Sequence, residues 1–234
     1  MQSELEEALA RVGRRRVAVT VAGRTDAGVH AWGQVASHTG EPLRASALNA
    51  VLPSDVAVLC SEAAPEGWDA RRDATSRAYC YRVLARRERS AWERGRVLWH
   101  PRALDREALR RCAAALAGVH DFTAFTPSDT KHRRFERSVW SAEWRAQDEL
   151  LELWIEADSF MRHMNRVLVG TMLEAALGVR SVESFVGLLD GAPRSAAGPT
   201  APAHGLALVG IGYGGAPVLG GERWGGSSSD QVSR

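Results

Sequence analysis

RRRVAVTVAGRTDAGVHAWGQVASH, residues 14–38, sets Val17, Val19 and Val21 in strict alternation before Gly23 and resumes alternation from Gln34 to His38. Period-two patterning on both sides reads as two strands. Between them, GRTDAGVHAWG (residues 23–33) is polar and punctuated by glycine, a connection of the kind on which a rigid sheet presents reactive groups. Its one carboxylate, Asp26, lies two positions after Arg24 and two before Gly28. An Asx turn with Gly28 at positive φ accounts for such a tripeptide structurally. A working aspartate in the same place needs a guanidinium to keep it ionised, and Arg24 is close enough in sequence to supply one.

Outward from this stretch, helical and strand patterns follow one another. Residues 3 to 12 place Leu5, Ala8, Leu9 and Val12 at helical spacing behind Ser3, with Glu6 completing a capping box. Residues 44 to 52 read as a helix closed by Pro53, Val56 to Cys60 as a strand, and Asp73 to Leu84 as a strand with an aromatic-rich face carrying Tyr79 and Tyr81. Asp105 to Leu116 is helical, Arg137 to Trp144 and Leu150 to Ala157 pair as strands, and Phe160 to Leu177 is a longer helix ended by Gly178. Val182 to Leu189 adds a short helix and Leu206 to Val209 a last strand. This order implies an α+β fold of two similar units, 1–90 and 91–213, followed by a Gly-, Ser- and Pro-rich tail over 214–234 that is expected to be disordered.

The 234 residues carry 30 basic and 28 acidic side chains, a balance that excludes a histone-like binder and makes charge a local question. All the basic residues but Lys131 are arginine, whose planar fork suits phosphates and stacks on bases, although genome composition produces the same bias. The densest run, residues 71 to 96, sets nine arginines against Asp73, Glu88 and Glu93; by default it is a solvated face. Cys60, Cys80 and Cys112 are scattered without a CxxC pair, which argues against a disulfide framework or a zinc or iron–sulfur site and fits a reducing cytoplasm. No apolar run is long enough for a membrane helix, and MQSELEEALARV lacks a signal-peptide pattern, so neither membrane insertion nor secretion is expected.

Several familiar chemistries lose their support. Gly210 to Gly215 matches GxGxxG, but Pro217 and low-complexity sequence follow where a dinucleotide site needs a helix. The seven histidines form no HxxxH pair, which disfavours metal catalysis, and no GxSxG elbow or P-loop occurs.

AGRTDAGVHAWGQVASH closely resembles the signature of the tRNA pseudouridine synthase I (TruA) family. LNAVLPSDVAV, WDARRDATSRAYCYRV, GVHDFTAFT, FMRHMNRVLVGTMLEAALG and GPTAPAHGLALVGIGY resemble the family's other blocks in the same order, so the likeness runs from about residue 3 to 213. The resemblance implies that Asp26 is a catalytic nucleophile, that Arg24 helps hold the place of the flipped nucleotide in the RNA, and that Tyr79 stacks on the target uracil. It implies further that Arg166 pairs with the catalytic aspartate and that Leu206 packs the site from the last strand. The implied fold is two α/β-sandwich-like units with mainly antiparallel sheets around a central RNA-binding cleft. The implied reaction isomerises uridine to pseudouridine at positions 38 to 40 of the tRNA anticodon stem-loop, in a cytoplasmic homodimer, with no cofactor and no metal. The carboxylate can attack C1′ of the ribose or add to C6 of the uracil, and the sequence leaves both open.

Family members begin with a strand carrying a glycine–tryptophan element that is absent ahead of the first helix here, so the first unit is expected to miss one strand. A non-catalytic RNA-binding module is the alternative that this absence and the arginine run support. A carboxylate-dependent glycoside hydrolase is weaker, because the loop offers no second carboxylate near Asp26.

Overall fold

The computed structural model describes residues 1–130 and 132–220. In chain order they form α1 (Gln2–Gly13), β1 (Val19–Val21), β2 (His30–Ala31), β3 (Ala36–His38), α2 (Ala45–Asn49), β4 (Ala74–Ala85) and β5 (Leu98–His100). Then come α3 (Arg106–Ala114), β6 (Gly118–Asp121), β7 (Glu136–Gln147), β8 (Leu150–Ala157), α4 (Met164–Ala176), α5 (Val182–Val186) and β9 (Leu206–Tyr213). The chain divides into two compact units, residues 1–24 with 34–74, and residues 25–33 with the chain from 75 onward. Among the described residues no helix is long and apolar enough to cross a membrane.

The first unit pairs β1 antiparallel with β3, with Val19 opposite His38, and packs α1 and α2 around Ala8, Leu9, Val19, Val21 and Leu48. The capping box expected at Ser3 does not form: α1 starts at Gln2 behind Met1, which makes no side-chain cap. Glu6 instead accepts hydrogen bonds from Val19 N and Gln2 Nε2, both at 3.0 Å, so its carboxylate serves the neighbouring strand. The strand expected over Val56 to Cys60 is also absent, since Asn49 takes both backbone groups of Val58, donating at 2.9 Å and accepting at 2.7 Å.

The second unit is built on a seven-stranded sheet in the order β2-β9-β4-β8-β7-β6, with β5 also paired to β4. β4 with β8, β8 with β7 and β7 with β6 are antiparallel, while β2–β9 and β4–β5 are parallel, so the α+β expectation of mainly antiparallel pairing holds. β4 is covered on both faces. Tyr79, Tyr81 and Val83 join the main core with α3 and α4, whereas Ala78 and Cys80 face Trp154 and Val209 on the other side.

The observed units differ from the expected division at residue 90. β4 belongs to the large sheet through its register with β8, and the Asp26 loop goes with the second unit because β2 pairs with β9. The helix expected from Phe160 begins only at Met164, since His163 adopts φ +63°. Gly210 to Gly212 lie within β9, with a turn after them rather than a helix. Of the expected tail, residues 221–234 lie outside the described residues. Its first part is held: Val218 N and Leu219 N each donate at 2.8 Å to the fully buried carboxylate of Glu156.

Candidate active site

Asp26 heads a tight turn in which Val29 N donates to Asp26 O at 3.1 Å and Gly28 takes φ +83°. That left-handed conformation favours a residue without a Cβ. The turn is fixed because the chain after it docks on β9. His30 and Ala31 run parallel to Ala207 and Leu208, and Trp32 N donates to Leu208 O at 2.8 Å.

Arg166 lies in the first turn of α4. Its Nη1 donates to Asp26 Oδ2 at 2.9 Å, and its Nε donates to Ala201 O at 2.8 Å. Ala201 N returns a hydrogen bond to Arg166 O at 3.0 Å. The guanidinium plane is therefore fixed at two points, and its side chain is only 17% exposed against 26% for Asp26, so solvent screens this pair less than a surface ion pair. Residues 198–203 come this close to α4 because position 170 is glycine: a Cβ there would stand 1.9 Å from Pro199 O. Gly198 N also donates to Thr171 Oγ1 at 3.0 Å, tying the same segment to the helix.

His163, the N-cap of α4, holds its ring Nε2 3.4 Å from Asp26 Oδ2. A non-glycine residue in the left-handed region costs about 1–2 kcal/mol and recurs at sites where geometry matters. The sequence reading missed this residue, because helix N-caps are ordinarily Ser, Thr, Asp or Asn and a histidine carries no such signal. Asp26 Oδ1 makes no hydrogen bond with any described residue. The carboxylate is thus anchored through one oxygen and leaves the other available.

Tyr79 on β4 is buried and meets Phe160 edge to face, with ring centroids 5.1 Å apart. Burial pushes its phenol up to about 12, partly opposed by Arg77, with the Asp26 carboxylate adding to the rise. Tyr81 donates from its hydroxyl to Pro202 O at 2.8 Å and braces the turn that leads into β9. Leu206, the first residue of that strand, is buried in the same apolar cluster as Tyr79 and Tyr81.

Of the five residues singled out in the sequence, Asp26 and Arg166 are in contact, and Tyr79 and Leu206 share one core cluster. Arg24 is exposed and its side chain bonds to no described residue, so the guanidinium on Asp26 is that of Arg166. Arg162, one turn before Arg166, pairs with Asp129, and both line an open cleft with Thr130 and His132. Among the described residues no group of three or more His, Cys, Asp or Glu could hold a metal ion.

A family model described as tRNA pseudouridine synthase matches residues 112–214. The tRNA pseudouridine synthase A of Geobacillus kaustophilus is 39% identical over 220 residues, covering 91% of this chain and 85% of the relative. That of Thermus thermophilus is 41% identical over 221 residues, 91% of this chain and 87% of the relative. For Caulobacter vibrioides the figures are 39% over 221 residues, 92% and 89%.

Proposed function

The chain belongs to the tRNA pseudouridine synthase family, isomerases that act on tRNA, and from that membership we propose that Asp26 is the nucleophile. Its target in this reading is a uridine at positions 38 to 40 of the anticodon stem-loop, flipped out of its stack.

The reaction breaks the N1–C1′ bond and makes a C5–C1′ bond, while C5 gives up a proton and N1 gains one. No atom is added overall, so the chemistry calls for no cofactor or energy source. By one route Asp26 Oδ1 attacks C1′ and the uracil leaves with the N1 electron pair; by the other it adds to C6, and the ester formed carries the base through its rotation. Either route requires a carboxylate held firmly at one oxygen with the second exposed to the substrate. The single observation that supports the assignment most is this one-sided anchoring of Asp26 through Oδ2 by Arg166.

Flipping costs a few kcal/mol, and stacking on an aromatic ring returns about 1–3 kcal/mol per base. Tyr79 is the residue we assign to that stacking, with Leu206 packing beside it. The exposed guanidinium of Arg24, which bonds to no side chain or backbone group among the described residues, is the one we assign to hold the flipped nucleotide's place in the RNA. The same reading makes the protein a homodimer of the cytoplasm.

Tritium release from tRNA labelled at uridine C5 tests the nucleophile, since only turnover frees the label. Asp26→Asn is expected to abolish release while tRNA affinity stays within about threefold of the wild type; retained turnover would overturn the assignment. Mapping pseudouridine in tRNA from cells with and without this gene tests the target, and loss anywhere other than positions 38 to 40 would refute it.

A further inference from the structure

Of the nine arginines between residues 71 and 96, several are committed inside the protein. Arg72 pairs with Asp73, Arg77 donates to Asp158 O, and Arg86 pairs with Glu149. Arg82 grips Glu93 with both Nη atoms, at 2.8 and 3.2 Å, and reaches Glu152 with its Nε at 3.0 Å. Arg89 lies 4.5 Å over the ring of Trp99, whose Nε1 donates to Arg86 O. The bonds of Arg82, Arg86, Arg89 and Trp99 brace the connection from β4 to β5 into a platform. Glu93 N donates to Ser90 Oγ, Arg96 N donates to Glu93 O, and Gly95 turns the chain at φ +74°.

What the platform presents outward is different in kind. Arg87, Arg94 and Arg96 are exposed, and their side chains bond to no described residue. Trp92, two residues before Arg94 in the same segment, is 93% exposed, the most exposed large apolar side chain among the described residues. The nearest uncommitted carboxylate in the segment is that of Glu88, so the surface is net positive around a bare indole. The indole offers a flat apolar face to a partner, and three guanidiniums that are uncompensated among the described residues select that partner's chemistry. A second copy of this surface would bring the same positive charges face to face, at a cost of several kcal/mol for desolvated like charges. A phosphate backbone neutralises them and offers bases to stack. The platform is also tied to the catalytic loop, for His30 Nε2 donates to Gly95 O at 2.7 Å, four residues along the chain from Asp26.

We propose that the β4–β5 connection is an RNA docking surface, with Arg87, Arg94 and Arg96 on backbone phosphates and Trp92 stacked on an unpaired base of the bound tRNA. This rests on the tRNA substrate assigned above and adds the surface that holds it outside the reacting centre.

The test measures tRNA affinity and tritium release for the full chain and three variants: Trp92→Ala, Trp92→Tyr and Arg94→Ala/Arg96→Ala. Trp92→Ala is expected to raise Kd and KM about tenfold with kcat unchanged, and Trp92→Tyr to restore most of the loss, since stacking needs a ring. The double arginine variant should weaken binding and flatten the slope of log Kd against log salt by about 1.5, as expected for two lost phosphate contacts. Wild-type Kd and salt slope in these variants, beside a wild-type chain that turns over, would overturn the surface and leave the isomerase reading intact. A wild-type chain that binds tRNA through these residues without releasing tritium would sink the isomerase reading and leave the surface standing. A shift in oligomeric state of Trp92→Ala by sedimentation, with Kd unchanged, would assign the patch to a second copy and refute the proposal.

Discussion

Arg166 does two jobs with one planar group, bonding Asp26 Oδ2 and Ala201 O at once, and only a fork can hold both directions. Arg166→Lys keeps the charge and loses the bridge, which is worth about 1.5–3 kcal/mol as one charge-assisted hydrogen bond. Turnover is expected to fall about 10- to 100-fold with KM for tRNA within about threefold; steady-state tritium release checks this, and an unchanged kcat would mean another group orients the aspartate. This pair also shows where residue-level reading stops. Asp26, Tyr79 and Arg166 stand out because their short motifs resemble a family's, but the contact between Asp26 and Arg166 spans 140 residues and leaves no local trace. Spacing alone offers Arg24, which is exposed in the structure. His163 was unreadable for another reason: a histidine at the N-cap with φ of +63° at the head of α4 carries no capping motif in the sequence.

α4 and the segment after Arg194 act as one element, because Ala201 O can orient Arg166 only while Pro199 sits against Gly170. Gly170→Ala should push them apart. A buried overpacking of this kind costs about 1–3 kcal/mol, which lowers the melting temperature of a chain this size by roughly 3–10 °C. It should also reduce kcat by loosening Arg166, whereas an equally destabilising change elsewhere, such as Asp105→Ala at the cap of α3, should leave kcat alone. Comparing kcat at matched fractions folded separates the two effects, and equal kcat in both variants would sever Gly170 from the site. The elements that were legible from sequence are those whose residues carry their own periodicity: α1, β1, β3, α2, β4, α3, β7, β8, most of α4, α5 and β9. β2, β5 and β6 run two to four residues and are strands only because β9, β4 and β7 lie beside them. Val56 to Cys60 has the opposite history, a period-two pattern with no partner strand, so the Asn49 side chain satisfies Val58 instead.

At the scale of the whole chain, titration above neutrality is concentrated in unusually few groups. The sequence holds one lysine, three cysteines and three tyrosines, and Tyr79, Cys80, Tyr81 and Cys112 are buried in the second unit. Burial raises all four: Cys112 from 9.0 to about 11 and Tyr79 from 10.0 to about 12, with Cys80 and Tyr81 pushed higher still. An unfolded chain ionises these groups near their ordinary values while the folded chain keeps them neutral, so unfolding releases protons at alkaline pH. Their contribution to stability is fully present below about pH 9 and is lost as pH rises through about 9 to 12, first from the thiols and then from the phenols. Each proton released costs about 1.4 kcal/mol per pH unit, so with several released together the fall should reach several kcal/mol per unit near pH 10 to 11. Denaturant melts of the protein without RNA, run at half-unit steps from pH 8 to 11, should show that slope. Cys112→Ala should flatten it from pH 9 upward, whatever the variant does to stability at pH 8. A midpoint that stays level to pH 11 would mean that these groups are solvated in the folded chain and that the core around β4 is more open than its packing describes.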